Sequence, residues 1–91
     1  MSFLKIDFNE NEDNKYGIVS ITFYPISNPS GDSYKINGSV YINMRNIQSI
    51  EVISVDNNVN FIAILLQNAS YVITIKKKYL EHFLKFIDTH Y

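Results

Sequence analysis

Hydrophobic and polar residues alternate along most of this chain with a period of two, and the period changes once, near the end. Leu4, Ile6 and Phe8 alternate with Lys5 and Asp7, which predicts a short strand with one buried face. The acidic stretch NENEDNK from Asn9 to Lys15 reads as a loop or hairpin tip. Val19, Ile21 and Phe23 alternate with Ser20 and Thr22. That second strand fades at Pro25, which has no N–H to give to a ladder. SNPSGDS, from Ser27 to Ser33, is the clearest loop, punctuated by Pro29 and Gly31.

The most regular stretch comes next. Tyr34, Ile36, Val40, Ile42 and Met44 fall on one face, and Lys35, Asn37, Ser39, Tyr41, Asn43 and Arg45 fall on the other. Such a strand has one wet face, as in an antiparallel sheet covered on one side. Gly38 lies on the apolar face, where it predicts a bulge or a close approach by another element. The phase holds through Ile50 and Val52 and flips at Ile53 and Val55. A bend or bulge near Asn46 to Ser49 is therefore expected before a strand from Ile50 to Val55.

DNNVN predicts a tight turn, since Asn tolerates the left-handed conformation. Phe61 to Leu66 is apolar on both faces, as a central strand under a helix would be. After a turn at Asn68 to Ser70, Tyr71, Ile73 and Ile75 alternate with Val72 and Thr74 to give the last strand. From about Lys77 the period becomes helical. Leu80, Phe83, Leu84 and Ile87 form one stripe, broadened by Tyr79 and Phe86, with Glu81, His82, Lys85 and Asp88 opposite. The expected architecture is α+β, mostly β: an antiparallel meander of five to six strands with one C-terminal helix packed on one face. It forms a single domain, with strands over about 3–75 and the helix over about 77–90.

Composition narrows the classes. At 91 residues, 46% hydrophobic and 14% aromatic, the chain is too apolar for a disordered tail and near the lower size for an unaided core. It contains no cysteine, hence no disulfide, thiol nucleophile or thiolate metal site. The opening SFLKIDF lacks the basic start and long apolar run of a signal peptide, and FIAILL is too short to span a bilayer. Together these lead us to expect a cytoplasmic protein without a membrane span. The Asn37 and Asn68 triplets that resemble glycosylation acceptors accordingly read as turn or surface residues. A net charge of −1 exerts no long-range pull on nucleic acid or anionic lipid.

Candidate chemistry is sparse. His82 and His90 stand eight positions apart, too far along a helix to chelate one ion, and read as solvent-facing. Glu10, Glu12 and Asp13 lack the glycine and distal glutamate of an EF-hand loop. The three glycines are scattered, so no phosphate-cradling loop forms, and no serine stands in a nucleophile elbow. Neither a catalytic residue nor a metal site is assigned, and no cofactor is expected.

Two surfaces remain. Lys76, Lys77 and Lys78 meet the start of the helix, where unpaired N–H groups already carry partial positive charge. They read either as solvated gatekeepers flanking a β-rich run or as an anion-attracting corner. The wet strand face of Lys35, Asn37, Tyr41, Asn43 and Arg45 has the aromatic and Arg content of protein-binding surfaces.

INMRNIQSIEV, FIAILLQNASYVITI and YLEHFLKFI resemble, in hydrophobic placement, the closing half of bacterial PH-like domains. The likeness covers about half of the chain, from Ile42 to Thr89. Where such domains bind phosphoinositides, a basic early hairpin does so; here the corresponding segment, NENEDNK, is acidic. The resemblance therefore implies the other use of that scaffold, protein interaction. The reading that follows is a small non-catalytic protein-binding module, an accessory or inhibitory protein. The bias towards Ile, Asn, Lys and Tyr, which AT-rich coding produces, suggests a bacterium or phage of that kind as its source. Self-association through an open sheet edge is a further option. The alternatives are nucleic-acid binding through the lysines and Arg45, and, third, a small enzyme using His82 or an acidic pair.

Overall fold

A computed structural model of the chain describes residues 2–25 and 31–90. Its strands are β1 (Phe3–Phe8), β2 (Ile18–Pro25), β3 (Tyr34–Lys35), β4 (Gly38–Asn43), β5 (Ile47–Ser54), β6 (Val59–Leu66) and β7 (Ala69–Lys76). Short 3-10 turns at Met44–Asn46 and Lys77–Tyr79 precede β5 and the helix α1 (Leu80–His90). The fold is mostly β with one C-terminal helix, as the alternation predicts. Residues 27–30 of the expected loop lie outside the described residues.

The strands form two antiparallel sheets, a five-stranded one in the order β3-β2-β7-β6-β5 and a two-stranded ribbon of β1 with β4. Only β5, β6 and β7 run as a meander; β2 returns to pair with β7, and β1 pairs with β4 rather than with β2. NENEDNK is thus a crossover loop between sheets and not a hairpin tip. Alternation reports which face a residue occupies but not which strand lies beside it, so these long-range pairings left no local signature.

Rows of side chains across the five-stranded sheet define its two faces. One face carries the row Ile21, Ile73, Ile62 and Val52, and beside it Ile18, Ile75, Asn60 and Ser54. Ile21, Ile62, Ile73 and Ile75 are buried, and they join one core with Leu4, Ile6, Phe8, Val40 and Ile42 of the ribbon and Phe83 and Ile87 of α1. Ribbon and helix therefore pack on the same side of the sheet. Each fully buried Ile or Phe contributes about 1.5–3 kcal/mol. Phe83 and Ile87 together supply about 3–6 kcal/mol, which reaches the lower end of the net stability of a small domain, about 5–15 kcal/mol, so α1 is integral to the fold.

The long strand expected from Tyr34 to Arg45 is broken. Ile36 N–H makes a last bond to Ile21 carbonyl at 2.9 Å, and the chain then leaves β2 and joins β1 from Gly38 onward. Gly38 sits at φ 142° with open space where a Cβ would be. It serves the change of sheet and not a close approach by another element. The irregularity expected near Asn46 to Ser49 is present, as the 3-10 turn and a register shift between Ile47 and Ser49.

The turn between β5 and β6 closes by a route other than the one expected. No non-glycine residue among those described has positive φ. Instead the Asp56 carboxylate accepts from the Asn58 and Val59 N–H groups at 2.6 and 3.0 Å, an Asx-type turn. Those two hydrogen bonds, with a smaller attraction from Lys77, hold the Asp56 carboxyl below the usual carboxylate range.

Candidate functional site

The outward face of the β1–β4 ribbon brings the exposed aromatics Phe3 and Tyr41 beside the charged Lys5 and Asp7. Lys5 stands directly opposite Tyr41, and Asp7 opposite Ser39. Lys5 Nζ lies 5.5 Å from the Tyr41 ring centroid and 3.9 Å from Asp7 Oδ1, and Ser39 Oγ donates to Asp7 Oδ1 at 2.5 Å. The Tyr41 hydroxyl first, and Asp7 second, raise the Lys5 ammonium above the ordinary lysine value. Tyr41 is nevertheless 61% exposed and Phe3, next along β1, is 46% exposed. The result is an aromatic side chain held in place by a cross-strand partner with its ring open to solvent, an arrangement that loses little side-chain entropy on binding.

The five residues expected to share the wet face of one strand do not share it. Lys35 belongs to β3 in the other sheet. Asn37 lies in the crossover, where its side-chain oxygen accepts the Glu10 N–H at 3.1 Å. Asn43 caps the 3-10 turn by accepting the Arg45 N–H at 3.0 Å, so it is an internal partner of the chain. Tyr41 stays on the ribbon face and Arg45 stays exposed. The change of sheet at residues 36–38 is the cause. Lys5 and Asp7, which complete the Tyr41 surface, come from a strand far away in sequence, and alternation alone could not align them with it.

Lys76, Lys77 and Lys78 are exposed at the end of β7 and in the 3-10 turn before α1. Lys78 Nζ lies over the Tyr79 ring at 5.4 Å. Lys76 borders a cleft of about 440 Å³ whose lining includes Glu10, Glu12 and Asp13, which oppose an anion at that corner. Arg45 does not join the lysines. It leads into Ile47, which pairs with Leu66, whereas Lys76 pairs with Val59, so the two lie at opposite ends of β6, about 23 Å apart at ~3.3 Å per residue.

The acidic loop is firmly built. Asn14 accepts the Tyr16 N–H at 2.8 Å and donates to the Asp7 carbonyl at 2.9 Å. Tyr16 then stacks on α1, with centroids 4.6 Å from Phe86, 5.1 Å from His82 and 5.7 Å from Phe83. His82 is exposed, as expected, but one side of its ring rests on Tyr16. Tyr16 lies outside both periodic patterns, so neither period marks it for a role. A larger cleft of about 680 Å³ opens between this loop, β1 and Phe86, with Asp7, Glu12, Asp13 and Lys15 on its walls. Among the described residues no three His, Asp or Glu side chains gather closely enough to hold a metal ion. No described helix is long and apolar enough to cross a membrane.

No family model, curated protein or solved structure matches this chain.

Proposed function

We propose that the protein is a small non-catalytic binding module whose partner is another protein, engaged through the outward face of the β1–β4 ribbon. The observation that carries the reading is Tyr41, 61% exposed yet steadied by Lys5 across the ladder. Aromatic anchors beside charged groups are enriched where proteins bind one another. Phe3 extends the apolar part of the surface and Asp7 supplies a carboxylate. The resemblance to bacterial PH-like domains suits the same reading, since that scaffold often serves protein interaction. An accessory or inhibitory role in a reducing cytoplasm fits the lack of cysteine.

Nucleic-acid binding through the lysine corner is the second reading. The carboxylates that line the cleft beside Lys76 weigh against it, as does the net charge of −1. The test compares capture by the wild type, a Tyr41→Ala/Lys5→Ala variant, and a variant with Lys76, Lys77 and Lys78 all changed to Gln. We expect the ribbon variant alone to lose its partner, with nuclease treatment having no effect. Loss in the lysine variant alone, together with loss on nuclease treatment, would overturn the protein-partner reading.

A further inference from the structure

We propose that the outer face of the five-stranded sheet binds a second copy of this chain, face to face, about a two-fold axis running parallel to the strands above Val72. This surface is distinct from the ribbon face.

The ribbon and α1 cover one side of the sheet only. On the other side Phe61, Ala63 and Leu65 of β6 and Val72 of β7 are half-buried and take no part in the core, and Ile53 of β5 is 46% exposed. An interior strand with apolar residues on both faces is the pattern of a sheet covered on both sides. Here the second cover is absent from the chain's own described elements.

The register says what fits there. Lys35, Thr22, Val72, Ala63 and Glu51 form one row straight across all five strands. A cation stands at one edge, a carboxylate at the other, and small or apolar side chains lie between. A two-fold axis along β7 sets Lys35 of each copy over Glu51 of the other, Thr22 over Ala63, and Val72 over its own mate. In the adjoining rows it sets Phe61 over the small Ser20, and Leu65 over Tyr24. Large over small, and apolar over apolar, is what two packed layers about 10 Å apart require. The other in-plane axis, across the strands, would stack Lys35 on Lys35 and Glu51 on Glu51, so the charges select the first arrangement.

The four long strands span about 19 Å by 26 Å at ~4.8 Å between strands and ~3.3 Å per residue. That is about 500 Å² per copy and about 1,000 Å² in all, the size at which specific association begins. An interface of isologous type with closed symmetry follows, and open-ended assembly does not.

Sedimentation equilibrium of the purified chain tests the proposal. The wild type is expected to dimerise, and Val72→Lys, which sets two like charges on the axis, to weaken the dimer by about 100-fold or more. Lys35→Glu and Glu51→Lys should each weaken it about two- to fivefold, and the double swap should restore it. Val72 points away from the core, so circular dichroism and core methyl spectra should report an unchanged fold. A chain that stays monomeric up to millimolar concentration overturns the proposal. So does a dimer that survives Val72→Lys, the mark of pairing through the β5 edge, or a double swap that fails to restore association.

Discussion

Gly17 presses its backbone against the ring of Tyr79. At φ +68° a Cβ there would stand 2.6 Å from Tyr79 Cγ and 2.9 Å from Tyr79 Cβ, closer than real Cβ atoms approach a neighbour. The Gly17 carbonyl also accepts the Lys76 N–H at 2.9 Å. The crossover loop is thereby fastened to the point where β7 turns into α1, and only glycine satisfies both the conformation and the space.

Gly17→Ala is accordingly expected to destabilise by about 2–4 kcal/mol, adding the left-handed backbone cost to overpacking. Chemical denaturation measures it. Gly31→Ala, also at positive φ (76°) but facing open space, should cost only the backbone part, about 1 kcal/mol. In a Tyr79→Ala background, which removes the ring but keeps the Cβ at 2.9 Å, the penalty at Gly17 should shrink part of the way towards that value; an unchanged penalty would show that the ring is not the obstacle.

Asn60 lies on the core face near the start of β6, opposite Ile75 and Ser54, and is 4% exposed, and among the described residues its side-chain oxygen has no hydrogen-bond partner. Its amide nitrogen makes one long contact, 3.5 Å, to the Ile53 carbonyl. Replacing it with leucine removes a buried acceptor that no described residue satisfies, and should raise stability by about 1 kcal/mol. A lower unfolding midpoint for Asn60→Leu would mean that the amide contributes more than its neighbours suggest.

The Asp56 carboxyl titrates lower in the fold than in the unfolded chain, because Asn58 and Val59 N–H groups bind its ionised form. The sign follows from linkage: its contribution is present above the unfolded value and disappears as pH falls through the lowered folded one. Unfolding midpoints recorded down the acid limb should therefore decline, and decline less in Asp56→Asn. Parallel curves for the two proteins would remove Asp56 as a cause.

Tyr16 joins the crossover loop to α1 through three rings. Aromatic pairs of this kind contribute about 0.5–1.5 kcal/mol each beyond their buried area. Tyr16→Ala should cost about 2–4 kcal/mol and raise amide exchange in both the loop and the helix. Exchange confined to the loop would show that the helix is held by the sheet alone.

Much of the secondary structure was legible in the alternation, because a strand side chain reports its face every second residue and a helix stripe every third or fourth. Alternation assigns Ile73 and Ile75 to the inner face of the last strand, the helical stripe assigns Phe83 and Ile87 to the inner side of the helix, and all four are buried. The irregularity before β5 was legible too, since a phase change has to be absorbed somewhere. The wet face fared differently. Lys35 and Tyr41 are in phase along the chain, yet the break at Gly38 puts them in separate sheets.

By itself, then, the sequence determined which residues alternate in and out, where the strand period gives way to a helix, and the lack of thiol chemistry. Those are local properties, carried by the periods of the two backbone forms and by side-chain type. Only tertiary structure decided that β1 pairs with β4, that Lys5 rather than Lys35 flanks Tyr41, that Tyr16 stacks on the helix, and that Lys35 and Glu51 end the same row. Each of these depends on which strands become neighbours, and that choice is made by the summed burial of one shared core, to which no single segment holds the key.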